Sequence, residues 1–328
     1  MIFRECLKVN NFSDIYKKYK LFIFDIDGVI WNKSHFIPYS CETLQHLYSR
    51  NKIIRYLTNN CSRPRSYFVK KFQSNYNNNK LKEYVINSDF YTSGYLTAKH
   101  IKENYSHLKN IFIIGSKSLV NEFEDLNFNV YSSLDIDNDK CIYESINKAL
   151  SYNELDVLIK INESLEAVIV GFDYKCNFYK LNYAQRVVLN SKNKLLFGAN
   201  IDSYDFEGIN GSRIGTYPFV KLLEYSTDTK AEIVTKPDPR SLDIILNDIE
   251  LSTKNIINKN EVLMIGDNLQ TDIKFANNSG IDSVLVLTGV TKSEYILEKL
   301  GNGKNSIIKN SHKNEYGIPT YICNDIRI

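Results

Sequence analysis

No stretch of this sequence approaches the roughly 18 consecutive apolar residues that span a bilayer. The opening residues, Met1-Ile2-Phe3-Arg4-Glu5, lead into neither a long apolar core nor a small-residue cleavage site, so a secretory leader is not expected. Six cysteines (Cys6, Cys41, Cys61, Cys141, Cys176 and Cys323) lie scattered with no C-x-x-C pair. That argues against a disulfide framework or a zinc site and fits a reducing, cytoplasmic compartment. Charge of one sign is also lacking: 41 basic and 38 acidic residues leave +3. A dedicated nucleic-acid surface needs a clustered basic face, so nucleic acid is not an expected partner. No internal repeat is found either. What remains is an ordinary globular composition, in a chain of 328 residues that has length for two domains, each with its own core.

The most informative stretch is Leu21-Phe22-Ile23-Phe24-Asp25-Ile26-Asp27-Gly28-Val29-Ile30-Trp31. Its four leading apolar residues read as a short buried strand. Asp25 and Asp27 follow, and then a glycine that permits a turn. Ligands of open α/β sheets collect just beyond the carboxyl ends of the strands. Two such close anions repel unless a cation or a shared proton compensates. An Asx-type turn closing the strand is the bland alternative, and on this stretch alone catalysis stands only slightly ahead of it.

The same pattern recurs. Ile53–Leu57 reads as a strand ending in Thr58-Asn59-Asn60-Cys61-Ser62, small polar groups that suit either a helix cap or a phosphate. Ser74–Lys80 reads as an exposed loop. From Ile111 a second α/β alternation begins, with strands at Ile111–Gly115, Ala167–Gly171 and Leu195–Ala199 and a polar insertion over Tyr131–Glu163. The first pattern then resumes. Ala231–Thr235 is expected to be a strand ending in Lys236-Pro237, and Glu261–Ile265 one ending in Gly266-Asp267-Asn268-Leu269-Gln270-Thr271-Asp272. Ser283–Leu287 and an edge strand at Tyr321–Cys323 complete the set.

Asp25, Asp27, Thr58, Lys236, Asp267 and Asp272 thus all stand at strand ends, which lie side by side in a doubly wound sheet. Carboxylates in that number call for a hard divalent cation, and oxygen-only ligation beside phosphate favours Mg²⁺. A lysine and a metal together suit a dianionic phosphate. Each residue taken alone has a bland alternative: a turn for Lys236, helix N-terminal acids for Asp267 and Asp272, a cap for Thr58. Their joint order favours catalysis.

Asp25-Ile26-Asp27-Gly28-Val29, Thr58-Asn59-Asn60, Lys236-Pro237 and Gly266-Asp267-Asn268-Leu269-Gln270-Thr271-Asp272 resemble the four ordered motifs of the haloacid dehalogenase superfamily of phosphatases. The nearest resemblance is to the branch of phosphoglycolate, pyridoxal phosphate and 4-nitrophenyl phosphatases. Val168-Ile169-Val170-Gly171-Phe172-Asp173 and Lys236-Pro237-Asp238-Pro239 support it. The resemblance implies a doubly wound, mainly parallel, Rossmann-like α/β core with an inserted α/β cap. Core would be residues 1–102 and 231–328, and cap residues 103–230.

It also implies roles. Asp25 would be the nucleophile and Asp27 the general acid, then base. Mg²⁺ would be held by Asp25, the backbone carbonyl of Asp27, and Asp267. Thr58, Asn59, Asn60 and Lys236 would hold the phosphoryl group. Asp272 and Asn268 would stand behind the metal site. In the cap, Asp205 aligns with a substrate-contacting position that is histidine in pyridoxal phosphatases and leucine in phosphoglycolate phosphatases. An aspartate there disfavours a second carboxylate on the substrate. Cys61 replaces the branch's usual serine: the change is harmless where only the backbone N–H meets phosphate, and the lesser alternative is a low-pKa thiol that would make the site oxidation-sensitive.

The five histidines (His35, His46, His100, His107 and His312) lie outside these motifs. The expected partner is a small phosphate monoester: 2-phosphoglycolate first, pyridoxal 5′-phosphate next, a broad set of metabolites third. A phosphoprotein phosphatase, or a regulator that only binds a phosphorylated partner, is the contrasting class. A mere binder would not need both Asp25 and Asp27. Homodimerisation through the cap is implied by the resemblance alone.

Overall fold

The computed structural model describes residues 7–8, 12–32, 35–74, 79–140, 142, 144, 153, 159–205, 213–292 and 316–328. They form an α/β protein of two compact units. The first comprises residues 1–58, 65–91 and 236–328, and the second residues 59–64 and 92–235.

A seven-stranded sheet organises the first unit, in the order Leu7–Lys8, Tyr321–Cys323, Asp282–Val286, Val262–Gly266, Leu21–Phe24, Ile53–Thr58, Phe90–Thr92. Pairings from Leu7–Lys8 through Ile53–Thr58 are all parallel. Chain order runs outward in both directions from the middle. From Leu21 the strands build toward Phe90–Thr92, those from Val262 build toward Tyr321–Cys323, and Leu7–Lys8, first in the chain, is added at that second edge. The switch point therefore falls between Leu21–Phe24 and Val262–Gly266, where such sheets bind ligands. Tyr321–Cys323, expected at the edge, is covered by the two-residue strand Leu7–Lys8.

Both faces of this sheet are buried, which is why its strands read as continuous apolar runs. Phe22, Phe24, Tyr56, Leu263, Ile265 and Val284 pack with Leu44 and Leu47 of helix Ser40–Ser49 and with Phe68 and Phe72 of helix Arg65–Gln73. Alternate residues such as Ile23 and Met264 point to the opposite face and are equally buried.

The second unit holds a parallel four-stranded sheet in the order Leu195–Gly198, Ala167–Val170, Asn110–Ile114, Asn129–Ser132. Alternation divides it cleanly. Phe112, Ile114, Val168 and Val170 pack with Tyr183, Val187, Val220 and Leu223, on the side of helices Phe178–Asn190 and Tyr217–Thr227. Ile111, Ile113, Ala167 and Ile169 pack with Ala98, Ile101, Leu119 and Phe123, on the side of helices Ser93–Asn104 and Lys117–Glu124. Side-chain caps start three of the four helices: Thr92 accepts from the N–H of Tyr95, Ser116 from that of Leu119, and Asn177 from that of Lys180.

Two expectations need correction. Tyr131 and Ser132 do not open an insertion but end a paired strand, whose Asn-Val-Tyr-Ser composition hides it. Residues 141, 143, 145–152 and 154–158 of the expected insertion, like 75–78 of the expected loop, lie outside the described residues. Secondly, Ala231–Thr235 is no strand of the large sheet. Glu232 forms a single bridge to Phe197, so the segment lies along the edge of the second unit's sheet.

Lys180 is fully buried in the second unit, where its ammonium donates to Asp173 at 2.8 Å, Asp137 at 2.9 Å and the carbonyl of Lys175 at 3.2 Å. Asp173 is buried as well, so removing it leaves the buried ammonium with only the more exposed Asp137 carboxylate and one carbonyl as partners. Asp173→Ala is expected to destabilise the fold by about 3 kcal/mol, read as a lowered urea midpoint. The double variant Asp173→Leu/Lys180→Met should recover most of that loss, because it removes both buried charges.

Candidate active site

Asp25 follows directly on the Leu21–Phe24 strand, and its N–H donates to Ile265 O at 2.8 Å, which fixes it against the neighbouring strand. Asp267 follows that neighbour, Val262–Gly266. The two acids thus come from opposite sides of the switch point. Thr58 closes the strand on the other side of Leu21–Phe24 and is buried. Lys236, the first residue on the chain's return to this unit, reaches in from outside the sheet. Its ammonium donates to Asp25 Oδ1 at 2.5 Å, Asp272 Oδ1 at 2.7 Å and Leu57 O at 2.8 Å.

Asp272 is placed by a wide helical turn, Leu269–Ile273, in which Asn268 O accepts from the N–H groups of Asp272 and Ile273. Its second oxygen accepts from the N–H groups of Asp267 at 3.1 Å and Asn268 at 3.0 Å. Asn268 in turn caps the turn through Gln270 N at 2.9 Å. Asp267 Oδ2 accepts from Val290 N. The chain closes so tightly here that side chains are excluded. A Cβ on Gly289 would stand 1.7 Å from Asp267 Oδ2, and one on Gly28, which sits at φ +89, 2.3 Å from it.

Asp25, Asp267 and Asp272 offer carboxylate oxygens that all lie within 4.8 Å of one another. Burial pushes Asp25 well above the usual carboxylate range. Lys236 works against that shift, and Asp272 and Asp267 add to it. Burial, then the charge of Asp272, pushes Asp267 up to about 7. Burial alone would depress Lys236, but Asp25 and Asp272 outweigh it and hold the ammonium above its ordinary value. One cation among three carboxylates leaves an excess of negative charge on hard oxygen donors. That donor set fits a divalent cation such as Mg²⁺.

The remaining expected residues divide. Asp27 belongs to the same unit, is exposed, and its Oδ1 accepts from Trp31 Nε1 at 2.9 Å. Asn59 and Asn60 belong with the second unit. Asn59 Nδ2 donates to Asp202 Oδ1 at 3.0 Å, and Asn60 Oδ1 accepts from the N–H groups of Ser62 at 2.9 Å and Arg63 at 3.1 Å, closing the turn before helix Arg65–Gln73. Asp205 lies on the two-residue strand Tyr204–Asp205, paired antiparallel with Arg213–Ile214, and residues 206–212 lie outside the described residues. Cys61 is not the low-pKa thiol considered above: it is buried, and burial pushes its pKa up. Sequence reasoning missed Val290 N on Asp267, Leu57 O on Lys236, and the indole on Asp27. The first two are backbone groups with no side-chain signature. Among the described residues no helix is long and apolar enough to cross a membrane.

Comparison with known proteins agrees with this geometry. Residues 22–129 match the family model described as haloacid dehalogenase-like hydrolase, and residues 233–311 match a second model, described as HAD-hydrolase-like. Phosphoglycolate phosphatase 2 of Arabidopsis thaliana is 27% identical over 295 residues, covering 90% of this chain and 91% of its own. A 4-nitrophenylphosphatase of Schizosaccharomyces pombe is 27% identical over 293 residues, covering 88% and 90%. The crystal structure of a 4-nitrophenylphosphatase from Thermotoga maritima superposes with a TM-score of 0.70 at 25% identity, over 95% of this chain and 96% of that one. The chain is a haloacid dehalogenase-like hydrolase, of the branch that contains the phosphoglycolate phosphatases and 4-nitrophenylphosphatases and carries an inserted α/β cap.

Proposed function

We propose that the protein is a Mg²⁺-dependent phosphatase that hydrolyses a small phosphate monoester through an aspartyl-phosphate on Asp25. The observation that carries this reading is the buried Lys236 ammonium shared by Asp25 and Asp272, with Asp267 beside them at the switch point of the sheet. Asp25, with Asp267 and the backbone carbonyl of Asp27, would hold Mg²⁺, which when bound neutralises phosphoryl charge and offsets the repulsion among the carboxylates. Lys236 supplies a fixed positive charge next to the nucleophile, lowering the cost of bringing a dianion to an acidic site. Thr58, at the end of the adjacent strand, would supply a hydroxyl to the phosphoryl group.

The steps that fall to the chain are then as follows. The Asp25 carboxylate attacks phosphorus, and Asp27 protonates the leaving alcohol. Asp27, now a carboxylate, takes a proton from water as that water attacks the phosphoenzyme. We favour 2-phosphoglycolate as substrate on the strength of the relatives, with pyridoxal 5′-phosphate second.

Phosphate release from 4-nitrophenyl phosphate, 2-phosphoglycolate, pyridoxal 5′-phosphate, glycerol 3-phosphate, a nucleoside monophosphate and a phosphopeptide tests the reading. Release should require Mg²⁺, and Asp25→Asn should lower it by at least about 10³-fold. A folded, Mg²⁺-loaded protein that released phosphate from none of the esters would not be this enzyme, and release from the phosphopeptide alone would place it in the protein-phosphatase class.

The raised carboxyl groups make a second expectation. Asp25 and Asp267 bind protons more tightly folded than unfolded, so the stability they contribute without metal is complete below 3.8, and the share of Asp267 is lost as pH rises through about 7. A cation displaces those protons, so it binds better at higher pH. Thermal melting at pH of about 5.5 and about 8 should therefore show a larger Mg²⁺-induced rise in Tm at the higher value. An equal or absent rise at both would speak against the carboxylate cluster as the metal site.

A further inference from the structure

Asp27 differs from the other acids of the site in being exposed. An exposed carboxylate samples several rotamers unless a neighbour fixes it, and fixing it costs entropy that a specific partner must offset. Trp31, four residues on, is such a partner: its indole N–H donates to Asp27 Oδ1 at 2.9 Å. The backbone makes this meeting unavoidable. Ile26 O accepts from the N–H groups of Val29, Ile30 and Trp31, and Gly28 N donates back to Trp31 O at 2.8 Å, so the chain folds position 31 beside position 27.

The indole itself cannot turn away. It is 1% exposed, stacks on Phe68 at 6.2 Å and 9°, and meets Phe36 and Phe72 at 5.5 and 5.2 Å. The Lys71 ammonium stands 3.9 Å from the ring centroid, where a cation draws electron density from the ring and strengthens its N–H as a donor. A packed aromatic wall in the first unit's core thus ends in one aimed hydrogen bond to the acid.

We propose that Trp31 is the positioning residue for Asp27 in proton transfer to the leaving group, an inference that rests on the phosphatase reading above. An indole N–H only donates, so Oδ1 serves as acceptor and the acid proton sits on Oδ2. In the step concerned, a carboxylate oxygen of Asp25 bonds to phosphorus and the bond from phosphorus to the ester oxygen breaks. The electron pair goes to that oxygen, and the proton on Asp27 Oδ2 joins it. A neutral alcohol departs and Asp27 becomes a carboxylate, whose new charge the Trp31 N–H stabilises.

The test exploits the leaving group. 4-Nitrophenolate departs without a proton, whereas an alkoxide does not, so only alkyl esters depend fully on the placed acid. For Trp31→Phe, kcat/KM on the best alkyl phosphate of the panel should fall about 10–100-fold while that on 4-nitrophenyl phosphate stays within about threefold. Asp27→Asn should show the same asymmetry more strongly, and adding Trp31→Phe to it should change little. Replacing the Trp31 indole by benzothiophene keeps the ring's shape and deletes only the N–H, so it carries the test if the phenylalanine variant does not fold. Equal losses on both esters, or none on either, would overturn the role of Trp31 and leave the phosphatase reading intact. A wild-type protein active on neither would remove both.

Discussion

The Lys236 ammonium is the interaction on which the arrangement of the site depends. Burying an unpaired cation costs several kcal/mol, and Lys236 is 2% exposed. Its three N–H bonds go to Asp25, Asp272 and Leu57 O, which together account for all three of its donors. Those partners come from the strand Leu21–Phe24, its neighbour Ile53–Thr58 and the turn after Val262–Gly266. One side chain thus pins the three segments that meet at the middle of the sheet. It also sets the electrostatics, because without it three mutually close carboxylates would have no positive charge among them. With it, enough negative charge remains to suit a divalent cation.

The scaffold makes that arrangement rigid. Asp25 and Asp267 are held by backbone hydrogen bonds at the carboxyl ends of adjacent parallel strands, and Asp272 by a turn whose own N–H groups it accepts. Gly28 and Gly289 leave room for the Asp267 carboxylate where any side chain would collide with it. Beneath the turn that bears Asp27, the rings of Trp31, Phe36, Phe68 and Phe72 pack edge-on and face-on, so that the turn rests on the core and does not swing over it. Groups placed this way need little reorganisation when charge develops on a substrate.

Much of this was legible from residue order. Apolar runs such as Leu21–Phe24 and Val262–Ile265 announced central strands because both of their faces are covered. Acids directly after them announced a site, because that is where parallel sheets bind ligands. Legibility failed where local composition and long-range placement diverge. Asn129–Ser132 carries polar residues into a real strand, since it stands at the sheet's edge with a half-exposed face. Ala231–Thr235 has the composition of a strand yet joins the second unit's sheet by a single bridge. Cys61 left a harmless and a reactive reading open by its place in a motif, and its burial among elements of the second unit suppresses the thiolate.

By itself, then, the sequence determined the kind of chemistry and the elements that bear it. Strand-forming runs, turn-forming glycines and the identity of the acids are local properties, set by neighbours a few residues away. Tertiary structure alone decided which groups meet. Lys236 reaches Asp25 across 211 positions of chain and Asp272 across 36. It was expected to end a strand of the large sheet, and it enters instead from the far end of the second unit's chain. Backbone donors such as Val290 N, and the aromatic wall that aims Trp31 at Asp27, likewise leave no mark in a motif. They depend on the packing of distant segments, and only the folded sheet brings those segments together.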